Sequence, residues 1–179
     1  STFVEVAGGG PTPQGAARGM MEAAHIRVDP TGSVVLITGT SPHGQGTATS
    51  LAQIVSALLG VAFEKVSVVY GDTDQVHWGG GTGGSGALIR GGNAAFLAGG
   101  KLREKIHRVA ALMLEANPDD ITLDGDRYIV KGTPGRGLTL AEVARRAYAP
   151  WGFPKELDPG LEVTFYYEPS ASTFPFGTH

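Results

Sequence analysis

The sequence predicts an α+β fold, a mixed sheet with helices packed on one of its sides, from three observations. Strand-like and helix-like runs follow one another as strand pair, helix, strand, helix, strand pair, helix, strand. The first pair flanks a turn carrying Pro30 and Gly32, so part of the sheet is an antiparallel hairpin. Each of the two main helices opens on a glycine turn, Gly44-Gln45-Gly46 for the first and Gly79-Gly80-Gly81-Thr82-Gly83-Gly84-Ser85-Gly86 for the second. Glycine costs roughly 0.5–1 kcal/mol against alanine inside regular structure, so so dense a run marks either a linker or a loop whose backbone must approach something closely. Its place between a strand and a helix favours the loop.

In chain order, residues Ser1 to Met21 read as loop, with Gly8-Gly9-Gly10-Pro11 and Pro13, and only Phe3 to Val6 as a possible strand. Ala24 to Val28 and Ser33 to Thr38 form the hairpin. Ile26 and Val28 alternate with His25 and Arg27, so the first strand is half exposed; the second is apolar throughout and is expected to be the more buried. A helix begins near Thr47, with Leu51, Ile54, Val55, Leu58 and Leu59 on one face and Gly60 as its stop. Val66 to Tyr70 is a strand, and Asp72 and Asp74 in the turn after it suit turn capping better than a calcium loop. His43 and His77 lack partners at zinc spacing and read as packing or hydrogen-bonding residues. The long helix spans about Asn93 to Glu115, with Phe96, Gly99, Leu102, Ile106, Val109, Ala110 and Met113 on its core face, and Asn117-Pro118 ends it. Lys101, Arg103, Lys105 and Arg108 make its solvated side. Ile121–Leu123 and Arg127–Val130 read as a small hairpin. Thr139-Leu140-Ala141-Glu142 is a capping box stapled by Leu138 and Val143, opening a helix that runs to about Tyr148 and stops at Pro150. A proline-rich connector follows, and Leu161 to Tyr167 is the last strand.

The chain has 179 residues, 41% hydrophobic and 17% charged, a globular composition with enough length for one domain or two small lobes. A net charge of −3, a pI near 5.9 and no basic block argue against nucleic acid or an anionic membrane as the main partner. The absence of cysteine excludes disulfides, thiolate metal sites and a cysteine nucleophile. No apolar run reaches the roughly 18 residues that span a bilayer. Ser1 without an initiator methionine, and an end at Phe176-Gly177-Thr178-His179 without a helix stop, suggest a piece of a longer polypeptide. The expected organisation is a single unit, with residues 1–22 a loop-rich lead-in, 23–149 the core, and 150–179 connector and last strand.

Backbone N–H groups ahead of a helix form an anion cradle, and Thr82 and Ser85 add hydroxyls. The Gln45 amide, flanked by bare glycines, can donate and accept toward a ligand. If the two turns lie side by side, a phosphate between them meets two helix N-termini, each contributing about 0.3–1 kcal/mol, besides several N–H bonds. The alternative is that both turns serve only tight strand-to-helix packing.

The ordered series Thr38-Gly39-Thr40-Ser41-Pro42-His43-Gly44-Gln45-Gly46, Leu59-Gly60-Val61, Val69-Tyr70-Gly71-Asp72-Thr73-Asp74, the glycine loop and Arg103-Glu104-Lys105 resembles the molybdenum hydroxylases. The likeness is greatest to molybdopterin-binding large subunits of the aerobic carbon monoxide dehydrogenase type. It extends over nearly the whole chain, including Asp29-Pro30-Thr31-Gly32-Ser33-Val34 and Thr173 to His179. The resemblance implies one lobe of a molybdopterin-binding domain, with the cofactor in its cytosine dinucleotide form. The implied contacts are His43, Gly44, Gln45, Gly46 and Thr47 in the first turn and Thr82, Gly83, Gly84, Ser85 and Gly86 in the second. It also implies iron–sulfur and flavin (FAD) groups on partner subunits, a small-molecule substrate, and a cytoplasmic location. Thr47 stands where the family often has histidine, Gly83 where it has an aromatic residue, and Gly86 and Ala87 where it has arginine and serine. Nothing matches the family's catalytic glutamate or substrate loop, so no residue is assigned a catalytic role and none a metal. The competing functions are a non-catalytic phosphate- or nucleotide-binding module and a purely structural lobe.

Overall fold

The computed structural model describes residues 1–10, 21–76, 78–149, 151–155 and 157–179. His77, the stretch 11–20 with Pro11 and Pro13, and Pro150 lie outside the described residues. The α+β class holds. A four-stranded mixed sheet, in the order β4-β3-β2-β8, is built from β2 (Glu22–Val28), β3 (Val34–Thr38), β4 (Val66–Tyr70) and β8 (Glu162–Tyr167). β2 runs antiparallel to β3, with Ile26 opposite Leu36, and antiparallel to β8. β3 and β4 are parallel, with Thr38 opposite Tyr70. Parallel neighbours need a crossover, and α1 (Thr47–Leu59) supplies it.

That parallel pair decides where a site can form. Both glycine stretches leave the carboxyl ends of adjacent parallel strands, so the chain delivers them to the same edge of the sheet. Open sheets place their ligand crevices there.

α2 (Asn93–Leu114) crosses the sheet, touching β2, β8 and α1, and is the centre of the core. Leu102, Ile106 and Val109 on α2 and Ala24, Ile26, Val28, Val34 and Leu36 on the sheet are all buried in one cluster. Both hairpin strands are flanked on both sides and bury alternate residues; Arg27 of β2 is exposed while β3 has no exposed residue, so β3 is the more buried of the two over the expected ranges. Phe96 is 54% exposed and does not belong to the core face of α2. It stands about 100° around the helix from Ala95, and the buried stripe runs through Ala94, Ala95, Ala98 and Gly99 instead. Small residues suit that end, because a Cβ at Gly99 would come within 2.7 Å of the Leu58 side chain. The helix ends at Leu114 through a left-handed Glu115 (φ 49°), while Asn117 caps the short turn that follows.

The small hairpin, β5 (Ile121–Asp124) and β6 (Arg127–Val130), gains a third strand, β7 (Thr133–Thr139), that was not anticipated. Its sequence carries Pro134, Gly135 and Gly137, residues depleted in strands. β1 (Thr2–Val4) and β9 (Phe176–Thr178) form a separate antiparallel ribbon. No helix among the described residues is long and apolar enough to cross a membrane.

The capping box opens α3 (Leu140–Ala147) as expected. The Glu142 N–H donates to Thr139 Oγ1 (3.3 Å), and the Thr139 N–H donates to the Glu142 carboxylate (2.7 Å). The bonds from the Thr139 backbone N–H and then from its hydroxyl hold the Glu142 carboxyl below its ordinary pKa. The cap's contribution is therefore whole at and above the usual carboxylate value and fades as pH falls through the depressed one. Thr139→Ala should cost about 1 kcal/mol near neutral pH. Glu142→Gln should flatten the acid limb of a stability-versus-pH curve, and a limb unchanged by that substitution would refute the assignment.

Candidate cofactor-binding site

Gln45 and Thr47 from the first turn and Thr82, Ser85 and Gly86 from the second line one hollow of about 260 Å³. Ser50, Ala87 and Leu88 complete its wall. Ser50 was legible in principle, since it follows Thr47 by three residues and shares its helix face. His43, Gly44, Gly46, Gly83 and Gly84 do not line the hollow, although His43 shapes it: its backbone N–H donates to the Gln45 side-chain oxygen. That bond leaves the Gln45 NH₂ group to donate elsewhere.

Helix N-termini reach the hollow from both sides. α1 starts at Gly46, whose left-handed backbone makes no side-chain cap, and no acidic residue stands in its first turn. Its first internal bond is from the Ser50 N–H to the Gly46 carbonyl (3.0 Å), so the amides of Thr47 to Thr49 have no intrahelical partner. On the other side α2 begins at Asn93, as expected, but it is not the first helical turn there. A π-helical turn, Ala87–Gly92, runs into α2, again with no side-chain cap and no acid in its first turn. The uncapped helical amides nearest the hollow on this side are those of Ala87 and Leu88, just past the glycine loop that the sequence singled out.

The two hydroxyls proposed as ligand donors are engaged within the chain. Thr82 Oγ1 donates to the Ser41 carbonyl, and Ser85 Oγ donates to Glu5 (3.2 Å). They tie the loop to its neighbours and leave backbone amides as its donors toward a ligand. Ser85 is itself left-handed (φ 49°), which bends the loop at the wall of the hollow. Asp72 acts as a turn cap, accepting from the Asp74 N–H (3.0 Å) and the Gln75 side-chain amide (2.6 Å). Among the described residues no group of three or more His, Cys, Asp or Glu side chains is placed to hold a metal ion.

Beneath the loops the backbones touch. A Cβ at Gly39 would lie 2.2 Å from the Gly79 Cα, and one at Gly79 2.3 Å from the Gly39 Cα. Glu22 sits below this contact, buried, accepting from the Ala23 and Gly80 N–H groups (3.2 Å each). Burial pushes its pKa above the ordinary value, opposed by those bonds and by the charge of Arg90. Gly83 differs from the other loop glycines. Its φ is not positive, and among the described residues no atom beyond its chain neighbours lies within 4 Å of where its Cβ would be. No contact among the described residues requires glycine there.

The fold and the hollow define a class: an α+β domain that offers uncapped helix amides and a bare glycine loop to an anionic ligand, at the carboxyl ends of parallel strands. Residues 1–179 match the molybdopterin cofactor-binding domain, and the chain belongs to that family. It is 40% identical over 180 residues to the carbon monoxide dehydrogenase large chain of Hydrogenophaga pseudoflava, covering 99% of this chain and 22% of that one. It is 35% identical over 185 residues to the nicotine 6-hydroxylase large subunit of Paenarthrobacter nicotinovorans, covering 100% and 22%. The structure of reconstituted CO dehydrogenase from Oligotropha carboxidovorans superposes with a TM-score of 0.88 at 39% identity, over 98% of this chain and 22% of that one. The chain thus spans about a fifth of the length of these relatives.

Proposed function

We propose that residues 1–179 form one wall of the cradle for molybdopterin, in its cytosine dinucleotide form, within the large subunit of a molybdenum-dependent oxidoreductase. The observation that carries this reading is the shared hollow, where Gln45 and Ser85, forty residues apart, face one space rimmed by uncapped helix amides. The residues fit the group. The amides of Thr47 to Thr49 and of Ala87 and Leu88 suit a phosphate, the Gln45 NH₂ suits a pterin or phosphate oxygen, and Gly83 leaves room for close approach. When bound, the cofactor supplies the redox chemistry, and this chain supplies binding and orientation.

The relatives named above support an oxidoreductase acting on a small molecule, by oxidative hydroxylation or carbon monoxide oxidation. In this reading electrons leave through iron–sulfur and FAD partner subunits in the cytoplasm. Residues 23–149, together with Leu161 and strand β8, act as the core of the unit. No residue here is given a catalytic role.

Molybdenum and pterin-derived fluorescence should copurify with the full-length protein. Gln45→Ala combined with Ser85→Ala should lower pterin occupancy about tenfold, the expected effect of losing one or two polar contacts and loosening the loop. Full occupancy in that variant, or a wild-type protein that never carries molybdenum while binding generic nucleotides, would reject the reading.

A further inference from the structure

Two charged side chains lie under the glycine loop, outside the hollow. Glu22, at the start of β2, is 0% exposed, and Arg90, in the π-helical turn, is 1% exposed. A buried charge is strongly penalised unless it is paired and hydrogen-bonded. Each of these is fastened to the loop. The Glu22 carboxylate accepts from the Gly80 N–H (3.2 Å) and takes a further bond from the Gly39 backbone. Arg90 Nη2 donates to the Gly83 carbonyl (3.1 Å), and its charge acts on Glu22. The guanidinium also fills the space below the loop: a Cβ at Gly86 would stand 2.5 Å from Arg90 Nε, and one at Gly80 3.2 Å from Nη1.

We propose that Glu22 and Arg90 are positioning residues, a buried acid–base pair that clamps the glycine loop at Gly80 and Gly83 and so holds the Thr82-to-Gly86 wall in the shape that receives a phosphate. The inference rests on the cofactor reading above. Neither side chain lines the hollow, so both act through loop backbone. Arg90 serves this role better than lysine would, because its planar fork fills the volume and reaches the Gly83 carbonyl while its charge acts on Glu22.

The test is amide hydrogen exchange on the full-length protein, with bound pterin measured on the same samples, for wild type, Arg90→Met, Arg90→Lys and Glu22→Gln/Arg90→Met. In Arg90→Met, amides from Gly80 to Gly86 should exchange about ten- to a hundredfold faster, while those of β3 and central α2 keep wild-type protection and pterin occupancy falls. Arg90→Lys and the double variant strand no buried charge. They should melt above Arg90→Met and still show the fast loop, so the question stays decidable if Arg90→Met fails to fold. Wild-type loop protection in both of those variants would overturn the clamp. Acceleration spread evenly through β3 and α2 would overturn it too, since that is the mark of general core support. A wild-type protein without pterin would remove the cofactor reading, and the exchange pattern would still decide the clamp.

Discussion

Gly39→Val is expected to unmake the site. Gly39 and Gly79 meet through their Cα atoms, and a Cβ on Gly39 would also stand 2.5 Å from Glu22 Oε1. Neither glycine has a positive φ, so the constraint is the approach of two backbones and not their local conformation. A valine side chain must drive apart the β3–α1 loop and the glycine loop, and with them the Gly80–Glu22 bond. Overpacking costs typically about 1–3 kcal/mol, and a clash against backbone belongs at or beyond the upper end. Denaturant titration should show that loss, and pterin occupancy in the full-length protein should fall to background. Gly39→Ala should move both measurements in the same direction by less. A valine variant with near wild-type stability and full occupancy would show that the two loops are free to part.

Leu102→Ala should destabilise the chain by about 2–5 kcal/mol, the range for truncating a large aliphatic side chain in a packed core. Leu102 is fully buried on α2, the helix that touches β2, β8, α1 and α3. It does not line the hollow, so pterin bound per folded molecule should hardly change, in contrast to Gly39→Val. Phe96→Ala on the same helix should stay within about 0.5 kcal/mol, because Phe96 is more than half exposed. A large loss at Phe96 with little at Leu102 would mean that the core face of α2 has been misassigned.

These contrasts mark what was legible before the structure. The periodic helices, the capping box at Thr139 and the β2–β3 hairpin were readable because each rests on local chemistry: apolar spacing, a hydroxyl three residues from a carboxylate, a turn with Pro30 and Gly32. The meeting of the two glycine turns could only be supposed, since it depends on β3 and β4 being parallel neighbours, a long-range pairing that neither strand announces. β7 was hidden for the opposite reason, as its proline and glycines speak against a strand and its pairing with β6 overrides them. The hydroxyls of Thr82 and Ser85 looked free because their acceptors, the Ser41 carbonyl and Glu5, are far away in sequence. Arg90 had a signal that went unused, a lone cation in an otherwise uncharged stretch from Trp78 to Gly100, where its charge requires an acid supplied from elsewhere in the fold.

Gly83 stands next to Thr82, which walls the hollow, and a Cβ there would meet no described residue beyond its chain neighbours within 4 Å. Elsewhere in the loop a larger residue is resisted by the guanidinium, by facing backbone or by a left-handed turn. At this one residue a methyl group could be added beside the hollow's wall without displacing a described neighbour. A small substitution at Gly83 would therefore alter the surface beside the hollow while sparing the contacts that hold the loop to the sheet.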